Sequence, residues 1–198
     1  MMNRILPNIH VFPKEGVYEV LLSSGIGRDL NVSPVGLRLA KGEMHVLLYR
    51  GTRSYENLVG HPKCGLTVTH DARQFYLALR GRMNERVKVT PDDIPYLEGE
   101  VVILGECVKS TEGNPTKFTV RPLRTFVNVS LIQAFSRADA LLIDALVHLT
   151  RLNIEEGASR EISAQLIYHE LATAKRLDPS LSDVVDEIIN DFLKAFKS

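Results

Sequence analysis

Asn31-Val32-Ser33-Pro34-Val35-Gly36 and, about fifteen residues on, Arg50-Gly51-Thr52-Arg53-Ser54-Tyr55-Glu56-Asn57-Leu58 gather the side chains that a phosphate monoester needs. Ser33, Thr52 and Ser54 offer hydroxyls, Asn31 and Asn57 offer amides, and Arg50 and Arg53 offer guanidinium groups. A guanidinium can grip phosphate oxygens with two parallel donors. A short helix starting near Ser54 would add free backbone N–H groups aimed at an anion. The same residues also read as two turns, Ser33-Pro34 and Gly51-Thr52, flanked by solvated arginines.

The elements that position this stretch read as short strands at 17–24, 37–40, 44–49, 65–70, 74–80, 101–109, 117–122 and 126–130. Each is rich in β-branched or aromatic residues and bounded by Gly, Asn, Asp or Pro, the pattern of an antiparallel barrel. Lys41-Gly42 marks a hairpin turn and Glu112-Gly113-Asn114-Pro115 another. The only helix expected in this part covers 54–60. Beyond residue 130 the spacing becomes helical over 137–152, 162–176 and 182–197. In the last of these, Val184, Val185, Ile188, Ile189, Phe192, Leu193 and Phe196 form one apolar stripe, with Ser182 as N-cap. The expected organisation is therefore a barrel over 1–130 and a helical subdomain over 131–198.

Asn-x-Ser-Pro, a hairpin, Arg-x-Thr-x-Ser-x-x-Asn-Leu and a strand ending Thr67-Val68-Thr69-His70-Asp71 together resemble the flavin reductase-like FMN-binding split barrels. Within that superfamily the chain is most similar to an uncharacterised, largely archaeal branch with a helical C-terminal region. The resemblance implies a mainly β fold with α, a split β-barrel followed by a small helical region. It implies FMN as cofactor, with Asn31 and Ser33 beside the flavin, Arg50, Gly51, Thr52, Ser54 and Asn57 in the phosphate-binding segment, and Thr69 lining the ring. It also implies a homodimer with FMN near the interface. Such proteins often carry Lys-Asp-Thr where this chain has Arg-Gly-Thr-Arg-Ser, so Thr52 and Ser54 stand as equal phosphate ligands. The implied activity is electron or hydride transfer through FMN, with NAD(P)H or another small molecule as donor. A non-catalytic FMN carrier, electron-transfer partner or sensor is the alternative, and haem or deazaflavin are further ligands that related barrels hold.

Other features narrow the choice. Lys plus Arg and Asp plus Glu both number 24, so the formal charge is zero and a nucleic-acid partner is not expected. No run approaches the length of a membrane span and no secretory leader is recognisable, which points to the cytoplasm. Cys64 and Cys107 fall in apolar strands, which favours two buried thiols over a single bridge. The six histidines show none of the close ligand spacings of zinc sites, and no metal is expected. Arg137, Asp144, His148 and Arg151 share one face of the helix 137–152. That stripe reads either as a solvated face with an Asp144–His148 pair or as a contact for substrate or a second subunit through His148 and Arg151.

Overall fold

The computed structural model describes residues 11–12, 15–128 and 136–196, without the side chains of 193–196. Two compact units emerge, one of Met1–Thr69 with Leu77–Ile132, the other of His70–Tyr76 with Gln133–Ser198.

The first unit is a closed six-stranded barrel. Its strands are β1 (Gly16–Ser24), β2 (Asn31–Ala40), β3 (Glu43–Leu48), β4 (Lys63–Val68), β7 (Val101–Thr111) and β8 (Thr116–Val127), hydrogen-bonded in the order β1-β2-β3-β8-β7-β4 and antiparallel throughout. The expected hairpin at Lys41-Gly42 is present, with φ of 52° and 76°, and Ala40 pairs with Glu43 across it. Positive φ at both central residues matches the right-handed twist of the flanking strands, which is why a glycine is suited to the second place. Val20, Leu22, Leu37, Val46, Leu66, Phe118 and Val120 fill the barrel. Helix α1 (Arg53–Gly60) adds Tyr55 and Leu58 to that core, with the Tyr55 ring edge-on to Phe118 at 5.7 Å between centroids.

The end of β1 and the middle of β7 are buried on both faces, so their sequences run apolar without alternation. The small ribbon β5 (Lys88–Val89) and β6 (Pro95–Tyr96) covers part of the barrel exterior. It approaches so closely that a Cβ on Gly65 would lie 2.3 Å from the Pro95 carbonyl oxygen. A second core of Ile94, Val102 and Leu104 lies under this ribbon.

Three expectations are corrected here. Residues 74–80 are not a strand but most of helix α2 (Ala72–Leu79), whose buried Ala72, Phe75, Tyr76 and Ala78 follow helical rather than alternating spacing. Ser33-Pro34 is not a turn, because β2 starts at Asn31 and Pro34 pairs with Leu21. The strands expected at 117–122 and 126–130 are one continuous β8; residues 129–130 lie outside the described residues.

The cysteines also differ from expectation. Cys64 and Cys107, on neighbouring strands β4 and β7 with Cα atoms 6.1 Å apart, are joined as a disulfide. The cysteines therefore lend no support to a reducing compartment.

The second unit carries α3 (Arg137–Arg151), α4 (Gly157–Leu177) and α5 (Ser182–Phe196). Ser136 caps α3 by accepting from the Asp139 amide at 3.1 Å. Asp178, rather than Ser182, is the capping side chain before α5. It accepts from the Ser180 amide at 2.9 Å and opens a 3-10 turn, Pro179–Leu181, that runs straight into the helix. In the apolar stripe of α5, Val184, Val185, Ile188 and Phe192 are buried, while Leu193 and Phe196 lie outside the described side chains. No helix among the described residues is long and apolar enough to cross a membrane.

Candidate functional site

The polar cluster is built where β2 begins beside the start of α1. The Asn31 side-chain amide donates to Ser33 Oγ at 2.8 Å and to Ser54 Oγ at 3.1 Å, and the two serine hydroxyls lie 2.6 Å apart. Asn31 and Ser33 are half-buried, while Ser54 is only 3 % exposed. Residues 23 positions apart in sequence thus become one hydrogen-bonded triangle because β2 runs directly past the first turn of α1. Each hydroxyl has one proton and two lone pairs, so the triangle leaves acceptor and donor capacity for a further polar group.

Thr52 is the N-cap of α1. Its hydroxyl accepts from the Tyr55 amide at 3.4 Å and donates to the Tyr49 carbonyl at 2.7 Å. The first intrahelical bond runs from the Glu56 amide to the Thr52 carbonyl. The amides of Arg53 and Ser54 therefore precede the hydrogen-bonded helix, at its electropositive end. Thr52 and Ser54, equal as phosphate ligands in the sequence, differ in the structure: Thr52 is occupied with the backbone, Ser54 with the triangle. Gly51, at φ 81°, takes the left-handed conformation just before the cap, with nothing within 4 Å of the place a Cβ would occupy.

The two arginines lie on either side. Arg50 sits in the turn just after β3, where Asn114 Oδ1 accepts from its backbone amide at 3.0 Å and Glu112 Oε2 pairs with its Nη2 at 2.7 Å. Lys109 chiefly, and then Arg50, hold the Glu112 carboxyl below the ordinary carboxylate range. Arg53 donates through Nη2 to the Arg28 carbonyl at 2.8 Å. Both guanidinium groups are exposed, each with donors beyond those bonds.

Asn57 faces elsewhere. Its amide donates to the Asp29 carbonyl at 2.7 Å and to Ser24 Oγ at 3.3 Å, so it fastens the loop 25–30 to the helix. Gly25 in that loop has φ 84°, and a Cβ there would fall 2.3 Å from the Asp29 carbonyl oxygen. Thr69 is buried directly after β4, the last residue of that stretch of the barrel unit.

Sequence reading missed one positioning residue, Asn84. Its Oδ1 accepts from the Val32 amide at 3.0 Å, within β2 between Asn31 and Ser33. A lone Asn in a stretch of Met, Asn, Glu and Arg carries no sequence signal for this bond, which spans 52 residues.

On α3, His148 is not on an open face. Its Nε2 lies 3.8 Å from Glu170 Oε1 on α4, with the imidazole 25 % and the carboxylate 8 % exposed. Arg151 is exposed at the end of α3.

The model for the N-terminal domain of the DUF447 family, a protein of unknown function, matches residues 18–129, and the model for that family's second part matches residues 136–192. Among curated proteins none matches the chain. An FMN-bound protein of this family, MM1853 from Methanosarcina mazei, superposes with TM-score 0.74 at 19 % identity, over 88 % of this chain and 95 % of its own. Flavoredoxin from Methanosarcina acetivorans superposes with TM-score 0.50 at 11 % identity, over 66 % of this chain and 78 % of its own. The barrel with a helical C-terminal region, expected from the resemblance, is thus a fold shared with the FMN-bound Methanosarcina mazei protein.

Proposed function

The chain belongs to the DUF447 family, and we propose that it is an FMN-binding flavoprotein that transfers electrons or hydride in the manner of a flavin reductase. The observation that carries this reading is the Asn31–Ser33–Ser54 triangle at the start of α1, flanked by Arg50 and Arg53. The donor set suits a phosphate monoester: the one hydroxyl proton the triangle leaves free, two exposed guanidinium groups and the amides of a helix N-terminus. The FMN-bound state of the Methanosarcina mazei protein, whose fold this chain shares, supports the same reading.

In this reading the Ser33–Ser54 pair gives the phosphate the one hydroxyl proton not spent between them, and the amides of Arg53 and Ser54 add backbone donors. Arg50 exchanges part of its contact with Glu112 for a charge-assisted bond to the phosphate. Gly51 and Thr52 act by setting the direction of α1, and Asn57 by fixing the loop behind it. When bound, FMN supplies the redox chemistry, and the protein orients the ring and controls access to it. Thr69 is proposed to line the ring and Asn31 to lie beside it.

A homodimer with FMN near the interface is part of the proposal. It is supported by Leu47 and Tyr49, which stand 45 % and 54 % exposed beside the candidate phosphate segment and give a second copy apolar surface to cover. Arg151 is proposed to contact substrate or the second subunit. The split form of the barrel and a cytoplasmic location complete the reading.

The test is titration of the flavin-free protein with FMN and, in parallel, with FAD and riboflavin, following flavin fluorescence. A phosphate-centred site binds FMN and loses most of its affinity for riboflavin. Equal affinity for riboflavin would remove the phosphate assignment. Addition of NAD(P)H to the FMN complex then separates enzyme from carrier, since a reductase bleaches the flavin absorbance and a passive carrier does not.

A further inference from the structure

We propose that Asp144 and His148 of α3 and Glu170 of α4 form a binding site for one divalent transition-metal ion, of the class of Zn2+ or Mn2+. Asp144 and His148 stand at i and i+4, so they share one face of α3. The one ligand atom each of the three residues offers lies within 4.8 Å of the other two. Ligand atoms at 2.0–2.2 Å from a metal are separated by roughly 3–3.5 Å. The three atoms would have to close by no more than about 1.8 Å to reach that spacing.

Glu170 is the second, independent observation. It lies on the buried face of α4 among Ile167, Leu171 and Ala174, and its residue exposure is 6 %. Its Oε1 reaches towards His148, while its Oε2 is buried without a hydrogen-bond partner. A carboxylate in such a place needs a proton or a cation, because burial of an unpaired charge costs several kcal/mol. A divalent cation compensates both carboxylates at once and gives the orphaned oxygen a partner.

The donor set selects the ion class. One imidazole with two carboxylates suits zinc, manganese or iron(II), whereas calcium and magnesium prefer all-oxygen shells. Three protein ligands on a partly exposed face leave coordination positions for water or a small anion. Sequence spacing conceals this site because its third ligand comes from a different helix.

The experiment uses untagged full-length protein, stripped with chelator and free of flavin, so its outcome is independent of the FMN reading. Calorimetric titration with ZnCl2 and with MnCl2 is expected to give one ion per chain and a rise in melting temperature. His148→Ala should weaken binding by at least about 10-fold, a loss at least as large as second-shell changes produce. Glu170→Gln, nearly isosteric, should do the same while retaining the far-ultraviolet circular dichroism of the parent. His61→Ala, in the barrel unit, should bind like the parent. Absence of stoichiometric binding by the parent, or undiminished affinity in His148→Ala, would overturn the proposal. So would an equal loss in His61→Ala.

Discussion

Replacing Ser54 by alanine separates the structural work of the polar triangle from its proposed phosphate contact. The hydroxyl makes two contacts, to Ser33 Oγ at 2.6 Å and Asn31 Nδ2 at 3.1 Å. Each neutral hydrogen bond contributes about 0.5–1.5 kcal/mol net. Asn31 and Ser33 are half-buried, so water can take up part of what they lose, and the expected stability cost is about 1–2 kcal/mol. Flavin affinity should fall further. A hydroxyl bond to a charged phosphate is worth about 1.5–3 kcal/mol, which is about 10- to 150-fold in Kd. The contrasting variant is Asn57→Ala on the same helix, whose amide is spent on the Asp29 carbonyl and Ser24 Oγ. It should lower stability by a similar amount with a smaller change in affinity. Urea denaturation of the flavin-free proteins and fluorescence titration with FMN give both quantities. Full affinity in Ser54→Ala, or an equal affinity loss in Asn57→Ala, would refute the reasoning.

Three further outcomes follow from the geometry. Gly25→Ala should destabilise the protein by at least about 1–2 kcal/mol in urea denaturation, because a left-handed residue gains a Cβ that meets the Asp29 backbone. Arg73 grips both oxygens of Asp183, and that bond holds the Asp183 carboxyl below its ordinary value of 3.8. The pair's contribution is thus fully present above that pH and lost as pH falls through the lower folded value. Arg73→Ala should accordingly lower the melting temperature at pH 6, with the difference from the parent shrinking below pH 4; a constant difference would contradict it. Denaturation with and without reductant should show the Cys64–Cys107 bridge, which closes a separation of 43 residues, as a gain of ~2–4 kcal/mol in the oxidised protein.

Much of the fold was legible because its signals are local. The Lys41-Gly42 hairpin, helix α1 and the periodic runs of α3 and α5 announce themselves in a few residues each. Residues 74–80 misled because Gln-Phe-Tyr-Leu has β-forming residues, whereas tertiary contacts reward the helical spacing of Ala72, Phe75, Tyr76 and Ala78. At the candidate site the residue types were readable but their division of labour was not. Thr52 and Ser54 look alike in sequence, and only the bond from Thr52 to the Tyr49 carbonyl shows which hydroxyl is spent on the cap. Asn84 and Glu170 could not be found at all, since each acts on a partner set by the fold rather than by spacing.

The central claim, that this barrel holds FMN, is tested most directly by mixing the purified protein with FMN, removing excess by gel filtration and recording the visible spectrum of the eluted peak. The account predicts flavin absorbance at one FMN per chain, in a peak at the volume of a dimer. A colourless protein would contradict it, and the residues Arg50 to Asn57 would then serve another ligand.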